Sequence, residues 1–125
     1  MKEEVVVRLI EKQLASKSRL YNNLHGTMFS KNGSPDFITM DTTGRYLGIE
    51  AKAPKKTPYT NQWRRAIEIL LSGGRYIVAQ EDFDLNKVDS GTLSSTVKIG
   101  SEIGYDEFLA EDLKINCTTE VLLKD

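Results

Sequence analysis

Residues 33–36 read GSPD, and residues 48–52 read GIEAK. The first segment places a carboxylate, Asp36, where a turn leads into a strand, and the second segment is strand-like. Because side chains alternate along a strand, Glu50 and Lys52 are predicted to point to the same face. If a hairpin brings Asp36 beside them, two carboxylates and one ammonium group converge. Such a set of groups can hold a hard divalent cation and direct water onto a phosphodiester.

The pattern around these segments predicts the hairpin. Residues 36–41 read as one strand and residues 45–52 as the next, joined by the turn DTTG at residues 41–44. One face of the second strand is predicted to carry Tyr46, Gly48, Glu50 and Lys52. A glycine on this polar face leaves room for another group to approach closely.

Two amphipathic helices are predicted to frame the hairpin. Residues 3–16 carry apolar side chains at helical spacing, and Glu3 lies on the apolar stripe rather than on the polar side. An acid at this position is either solvated at a frayed terminus or reaches a charged site. The second helix is predicted over residues 58–71, with Thr57 as its N-cap and a proline at its first position.

The remaining elements are shorter. A strand is predicted near residues 26–30, and Gly73-Gly74 ends the second helix before a buried strand at residues 75–79. The order is then helix, strand, strand, strand, helix, strand. Beyond residue 80 the pattern predicts a strand at 92–99, a short helix at 105–112 and a last strand at 118–123.

Composition limits the function classes. The chain has 125 residues, of which 39% are hydrophobic and 28% charged, which is typical of one soluble globular domain. No apolar run reaches the roughly 20 residues of a membrane span, and the N-terminus lacks signal-peptide features, so we expect no membrane association and an intracellular location. With one cysteine, Cys117, and one histidine, His25, a zinc hydrolase or a histidine-dependent nuclease is excluded. His25 reads as structural and Trp63 as a core residue.

The net charge of −1 counts against a general nucleic-acid binder, but basic residues cluster in one part of the chain. Between Lys52 and Arg75 the only acid is Glu68. A basic face beside the predicted site is one interpretation, and ordinary solvated surface charge is the other. The basic residues of this window are Lys52, Lys55, Lys56, Arg64, Arg65 and Arg75.

These residues resemble the PD-(D/E)XK nuclease superfamily, and most closely its VRR-NUC branch. The resemblance rests on Pro35-Asp36, on Glu50-Ala51-Lys52, on Glu3 in front of its apolar stripe, and on Gln62 in the second helix. It covers about residues 3–80 and also includes Gly33, Ala53-Pro54 and Gly73-Gly74-Arg75-Tyr76. It implies an α/β fold in a single domain over residues 1–125. The core would be restriction-endonuclease-like, with a helix, a three-stranded antiparallel meander, a helix and a strand, followed by a C-terminal β/α extension.

The resemblance also implies a metal site. Asp36 and Glu50 would bind Mg²⁺, for which Mn²⁺ would substitute, and the carbonyl of Ala51 would be a further ligand. Glu3 would complete the metal shell, directly or through water. Each acid also has a structural reading, since Asp36 could cap a turn and Glu50 could belong to an exposed strand pair with Lys52 that contributes little to stability.

Other residues are implied in catalysis and in DNA contact. Lys52 would orient or deprotonate the attacking water, or stabilise the charge that develops on the phosphate. Gln62 would contact the metal-bound water or the scissile phosphate, although it could also be a helix-surface amide. The residues that would contact DNA are Lys55, Lys56, Arg64 and Arg65.

The activity that follows from the resemblance is metal-dependent endonucleolytic hydrolysis of DNA, leaving a 5′-phosphate. The VRR-NUC branch favours structured DNA such as Holliday junctions or flaps, a homodimer that sets two active sites at a fixed spacing, and the cytoplasm of a bacterial or phage-infected cell. The alternatives are a restriction- or repair-type duplex endonuclease, an exonuclease, and a non-catalytic DNA-binding module. The presence of Asp36, Glu50 and Lys52 together favours an enzyme over the non-catalytic module.

Overall fold

The computed structural model describes residues 2–26, 33–100 and 115–124. Within these ranges the chain is an α/β protein with a mixed six-stranded sheet and three helices. No helix in the described ranges is both long enough and apolar enough to cross a bilayer. The elements in chain order are α1 (Glu3–Ser16), β1 (Tyr21–Asn23), β2 (Phe37–Met40), β3 (Tyr46–Ala51), α2 (Thr60–Leu71), β4 (Arg75–Ala79), α3 (Leu85–Ser90), β5 (Thr96–Ile99) and β6 (Thr119–Leu123).

The strands lie in the order β1-β2-β3-β4-β6-β5. The first three form an antiparallel meander, in which Tyr21 pairs with Thr39 and Phe37 pairs with Ile49. β3 and β4 are parallel, so the chain must cross over between them, and α2 is that crossover. β6 is antiparallel to β4 and parallel to the edge strand β5.

The sheet separates two apolar clusters. On one face, β3 contributes Leu47, Ile49 and Ala51 to a cluster with α1 and α3. On the other face, α2 packs Trp63 and its neighbours against β4 and β6. Burying each large aliphatic side chain contributes roughly 1.5–3 kcal/mol, so the two clusters fix the helices to the sheet. The predicted alternation of β3 is confirmed, and its second face, which carries Glu50, lies under α2.

Much of the predicted element order is confirmed. The helix predicted over residues 3–16 is α1, and its buried residues recur at helical spacing. The predicted hairpin is β2–β3, the strand at 75–79 is β4, and the last strand is β6. The strand predicted at 92–99 is shorter and forms β5 over Thr96–Ile99. The helix predicted at 105–112 lies outside the described residues.

Two local predictions differ from the structure, and one helix was not predicted. The N-cap of α2 is Tyr59 rather than Thr57, because the Gln62 side chain reaches back and accepts the Tyr59 N–H. The first strand lies at residues 21–23, whereas the strand predicted near 26–30 falls outside the described residues except for Gly26, which is in a turn. Helix α3 was not predicted, although Asp84 caps its start by accepting the Asn86 N–H.

Candidate metal centre

The register of the hairpin explains the position of Asp36. Because Phe37 pairs with Ile49, continuing the register by two residues would set Pro35 opposite Ala51. The Ala51 N–H donates to Asp36 Oδ2 at 2.9 Å, and the nitrogen of Pro35 has no hydrogen to donate to the Ala51 carbonyl. The Asp36 side chain is therefore fixed at the end of the hairpin, and the Ala51 carbonyl faces a residue that cannot donate to it.

Two glycines allow close packing around this hairpin end. A Cβ on Gly48 would lie 2.8 Å from Pro35 Cγ, so the close approach predicted at this glycine is confirmed, with the proline as the approaching group. Gly33 has φ of +86° and lies against the first turn of α2, where a Cβ would collide with the Asn61 carbonyl. These contacts hold the Pro-Asp segment against both β3 and the helix that carries Gln62.

Glu50 is buried between β3 and α2, with 2% of its surface exposed. Its Oε1 accepts a hydrogen bond from Gln62 Nε2 at 2.8 Å, whereas its Oε2 is buried and accepts none from any residue in the described ranges. Burial and the neighbouring Asp36 carboxylate raise the pKa of Glu50 to about 9. The readings of Glu50 as an exposed strand acid and of Gln62 as a helix-surface amide are therefore wrong.

Lys52 is also buried, and its ammonium group is covered by an aromatic ring. The residue is 4% exposed, and its Nζ lies 4.3 Å from the centroid of the Tyr59 ring. Such a cation–π contact holds the ammonium in place. The backbone of Lys52 donates to the Ala79 carbonyl at 2.9 Å, which keeps the residue in the sheet beyond the end of β3.

Glu3 reaches the site from the first turn of α1. Its Oε2 lies 4.0 Å from His25 Nδ1, and partial burial is the largest of the effects that raise its pKa. The Asp36 carboxylate raises that pKa further, and the Lys52 ammonium lowers it. Of the two alternatives left by the sequence, the structure favours an acid that reaches a charged site.

His25 is the site residue that the sequence did not predict. Its Nδ1 lies 2.8 Å from Asp36 Oδ1, although the sequence predicted a structural histidine. The pairing of β1 with β2 brings it there, since the Leu24 N–H donates to the Asp36 carbonyl at 2.7 Å. The only local signal in the sequence was its position, shortly before the turn that leads to the Pro-Asp pair.

The arrangement can bind a cation. Ligand atoms of Glu3, His25 and Asp36 all lie within 4.8 Å of one another. The buried Glu50 lies beside this group and retains an unpartnered oxygen. A divalent cation bound by this group would relieve the repulsion between its carboxylates and that between Asp36 and the buried Glu50. The residues present thus fit a metal ion, and both oxygen and nitrogen ligands are available.

The residues predicted to contact DNA do not form one uniform surface. Lys55, Lys56 and Arg64 are exposed around the start of α2. Arg65 is partly buried, and its Nη1 lies 2.7 Å from Glu68 Oε2. Arg75 belongs to a buried ion-pair cluster rather than to a basic face. The basic residues that remain at the surface are therefore those near the loop after β3.

Comparison with known proteins adds no family to these observations. No protein-family model matches the chain, and neither the curated proteins nor the solved structures gave a match. The resemblance to the VRR-NUC branch rests on the residues quoted from the sequence and stays a prediction. The functional argument rests on the geometry of the site.

Proposed function

We propose that the protein is a Mg²⁺- or Mn²⁺-dependent deoxyribonuclease of the PD-(D/E)XK type that hydrolyses phosphodiester bonds. The order of α1, the antiparallel meander β1–β2–β3, α2 and β4 supports a restriction-endonuclease-like core. Asp36, Glu50 and Lys52 converge at the end of the β2–β3 hairpin, as that assignment requires.

The observation that carries the proposal is the buried Glu50 carboxyl group, whose Oε2 accepts no hydrogen bond from the described residues and whose neighbour is the Asp36 carboxylate. A buried acceptor without a partner costs about 1–3 kcal/mol, so a fold that keeps one calls for an explanation. Here the acceptor lies beside Asp36, whose carboxylate disfavours the charged form of Glu50. A strongly perturbed acid that is desolvated and adjacent to a second acid supports a functional site.

The backbone supplies a further oxygen. Continuing the register of the hairpin would set Pro35 opposite Ala51, and a proline nitrogen has no hydrogen to donate to the Ala51 carbonyl. Mg²⁺ accepts carbonyl oxygens beside carboxylates and retains several of its waters. Asp36, Glu50 and the Ala51 carbonyl would therefore hold the ion, with Glu3 at its outer side.

Each remaining residue has a distinct task in hydrolysis. A bound cation lowers the pKa of water and offsets the charge of the phosphate. Lys52, held beneath the Tyr59 ring, would orient the attacking water or stabilise the charge that develops on the phosphate. Gln62 fixes the Glu50 carboxylate through one bond and is itself fixed through the Tyr59 N–H. These residues would position both the ion and the water from elements that the sheet and α2 hold in place.

The substrate class and the assembly are also proposals. The resemblance to the VRR-NUC branch supports structured DNA, such as four-way junctions or flaps, and a homodimer within the cell. The exposed Lys55, Lys56 and Arg64 beside the site support contact with a phosphate backbone.

The proposal is tested by cleavage of labelled four-way junction, flap, duplex and single-stranded DNA with Mg²⁺ or Mn²⁺, using EDTA as the control. Lys52→Met keeps most of the buried stem and removes the charge, so we expect a folded variant whose cleavage rate falls by roughly a hundred-fold or more. Lys12→Met, on the exposed side of α1, is the matched control and should cleave like the wild type.

Each outcome has a defined meaning. Metal-dependent cutting that is lost in Lys52→Met would support the nuclease, and the order of substrate preference would assign its class. Circular dichroism on each variant establishes that loss of cutting is not loss of folding. If the folded wild-type protein binds DNA but cuts none of these substrates, the non-catalytic module is the better assignment.

A further inference from the structure

His25 is the only histidine of the chain, and it lies in the site. Its imidazole is part-buried, with 28% of the side chain exposed, and contacts two acids from different elements. One is Asp36, at the start of β2, and the other is Glu3, at the start of α1. No hydrophobic cluster of the described residues includes it. Packing therefore does not explain its position.

The backbone holds the imidazole in place before any ligand arrives. The His25 N–H donates to Asn23 Oδ1 at 3.0 Å, which fixes the turn after β1. The neighbouring Leu24 N–H donates to the Asp36 carbonyl, which ties that turn to β2. Because the backbone at His25 is already fixed, the residue loses little conformational entropy when its imidazole binds an ion. Such preorganisation favours metal binding.

A second, independent observation points to a cation at the same place. Glu50 Oε2 is buried beside Asp36 and has no hydrogen-bond partner in the described ranges. This oxygen comes from β3 and the imidazole from the turn after β1, with Asp36 between them. Ligand atoms of Glu3, His25 and Asp36 lie within 4.8 Å of one another, so an ion bound to Asp36 would lie within reach of His25, and its charge would offset the repulsion between Asp36 and the buried Glu50.

We propose that His25 is a direct ligand of the ion in this site, and that its nitrogen makes the site select a first-row transition-metal dication over Mg²⁺. The inference rests on the proposed function only in assuming that the site binds a metal ion. It goes beyond that function because the resemblance implied oxygen ligands alone.

The chemistry of the two ion classes supports this selectivity. Mg²⁺ is a hard cation that takes oxygen ligands and keeps its waters. First-row transition ions also accept imidazole, and their affinity for nitrogen ligands rises along the series that begins with Mn²⁺. A site built of Asp36, Glu50, Glu3 and a carbonyl would bind Mn²⁺ and Mg²⁺ through similar groups. Adding His25 strengthens the binding of Mn²⁺ selectively.

The competing role for His25 is purely positional. Its Nδ1 could do no more than hydrogen-bond to Asp36 and orient that carboxylate towards the ion. The two roles predict different patterns, because a misplaced Asp36 weakens every ion, whereas a lost nitrogen ligand weakens mainly the transition-metal ion.

The test is isothermal titration of the full chain with MnCl₂ and with MgCl₂, in the absence of DNA. The variants are His25→Ala, and His25→Asn, whose amide nitrogen can replace Nδ1 in the bond to Asp36. We expect both variants to lose about ten-fold or more in Mn²⁺ affinity. We expect His25→Asn to bind Mg²⁺ within about two-fold of the wild type, because Mg²⁺ draws on oxygen ligands only.

A second readout uses the uniqueness of the histidine. With ¹⁵N-labelled histidine, the two ring nitrogens give signals that belong to His25 alone. One of these signals should shift strongly on addition of Zn²⁺, a diamagnetic first-row dication, and should stay near its original position with Mg²⁺.

Four results would overturn the inference. Equal losses of Mn²⁺ and Mg²⁺ affinity in His25→Asn would mean that His25 only orients Asp36. Unchanged affinities would mean that His25 takes no part in binding the ion. Ring signals that do not respond to Zn²⁺ would exclude coordination. A wild-type protein that binds none of these ions would overturn the metal-dependent function as well, so the two failures are distinguishable.

Discussion

Two charge clusters on the same sheet are built in opposite ways. In the cluster around Arg75, the guanidinium bonds Glu120 through two nitrogens at 2.7 and 3.0 Å and lies 3.5 Å from Asp41. In the cluster around Asp36, three acids gather near one lysine, and Glu50 keeps an oxygen without a partner. All carboxylate oxygens of the first, self-sufficient cluster accept hydrogen bonds, whereas the second, unbalanced cluster leaves one buried oxygen without a donor.

The contrast extends to proton affinity. Burial of Asp41 opposes its ionisation, but hydrogen bonds from Thr43 and Arg45, together with the charge of Arg75, outweigh burial and lower its pKa to about 2. Burial of Glu50 is reinforced by the neighbouring Asp36, and its pKa rises to about 9. Two buried carboxyl groups in one fold thus shift in opposite directions. A charge cluster whose buried carboxylates are all hydrogen-bonded stabilises a fold. A cluster that leaves a buried carboxyl oxygen without a donor indicates a place where a ligand would bind.

Breaking the self-sufficient cluster should have the largest effect on stability. Arg75→Met would leave Asp41 and Glu120 without their cation, and removing one partner of a buried ion pair costs about 3–5 kcal/mol. Urea denaturation would measure the change in the free energy of unfolding. Arg8→Met, on the exposed face of α1, is the control and should change this free energy by no more than about 0.5 kcal/mol. A similar small change in Arg75→Met would show that the cluster is dispensable.

Acid should weaken the same cluster by a smaller amount. The pKa of Asp41 is lowered from 3.8 to about 2, so its contribution is complete above pH 4 and is lost as the pH falls towards 2. The loss amounts to about 2 kcal/mol, since each pKa unit corresponds to 1.36 kcal/mol. Denaturation curves between pH 2 and 5 would detect it. Asp41→Asn should be less stable at neutral pH and should lack this part of the pH dependence; an unchanged acid profile would contradict the assignment.

Neutralising the unbalanced cluster should have the smallest effect on stability, and of the opposite sign. In EDTA at neutral pH, Glu50→Gln should raise the free energy of unfolding by about 1 kcal/mol, because burial makes Glu50 take up a proton on folding, whereas an amide is neutral in both states. The wild type should recover stability when Mn²⁺ is added, and Glu50→Gln should not. Thermal denaturation with and without Mn²⁺ measures both effects. A destabilised Glu50→Gln in EDTA would mean that the carboxylate serves the fold.

The parts of the fold that local sequence determines were predicted well. α1 follows from apolar residues at helical spacing, and the β2–β3 hairpin follows from two short runs joined by DTTG. Once the hairpin is known, its register alone sets Asp36, Glu50 and Lys52 side by side. This is why the centre of the site could be predicted from the sequence.

The parts that depend on long-range pairing were not predicted. Asn22 and Asn23 favour turns, yet they lie in β1 because pairing with β2 overrides local preference. The same pairing delivers His25 to Asp36, so the histidine could not be assigned without it. The sequence predicted Thr57 as the N-cap of α2. The N-cap is Tyr59, because the Gln62 side chain accepts the Tyr59 N–H.

Pro35 gives the site a property that none of its side chains carries. The nitrogen of Pro35 carries no hydrogen, so residue 35 cannot donate to the Ala51 carbonyl that the continued register would set opposite it. If another amino acid at position 35 extended the ladder to this point, its N–H would donate to that carbonyl, in competition with a cation. During evolution, a metal centre of this kind can therefore be weakened while every acid, the lysine and the histidine stay in place.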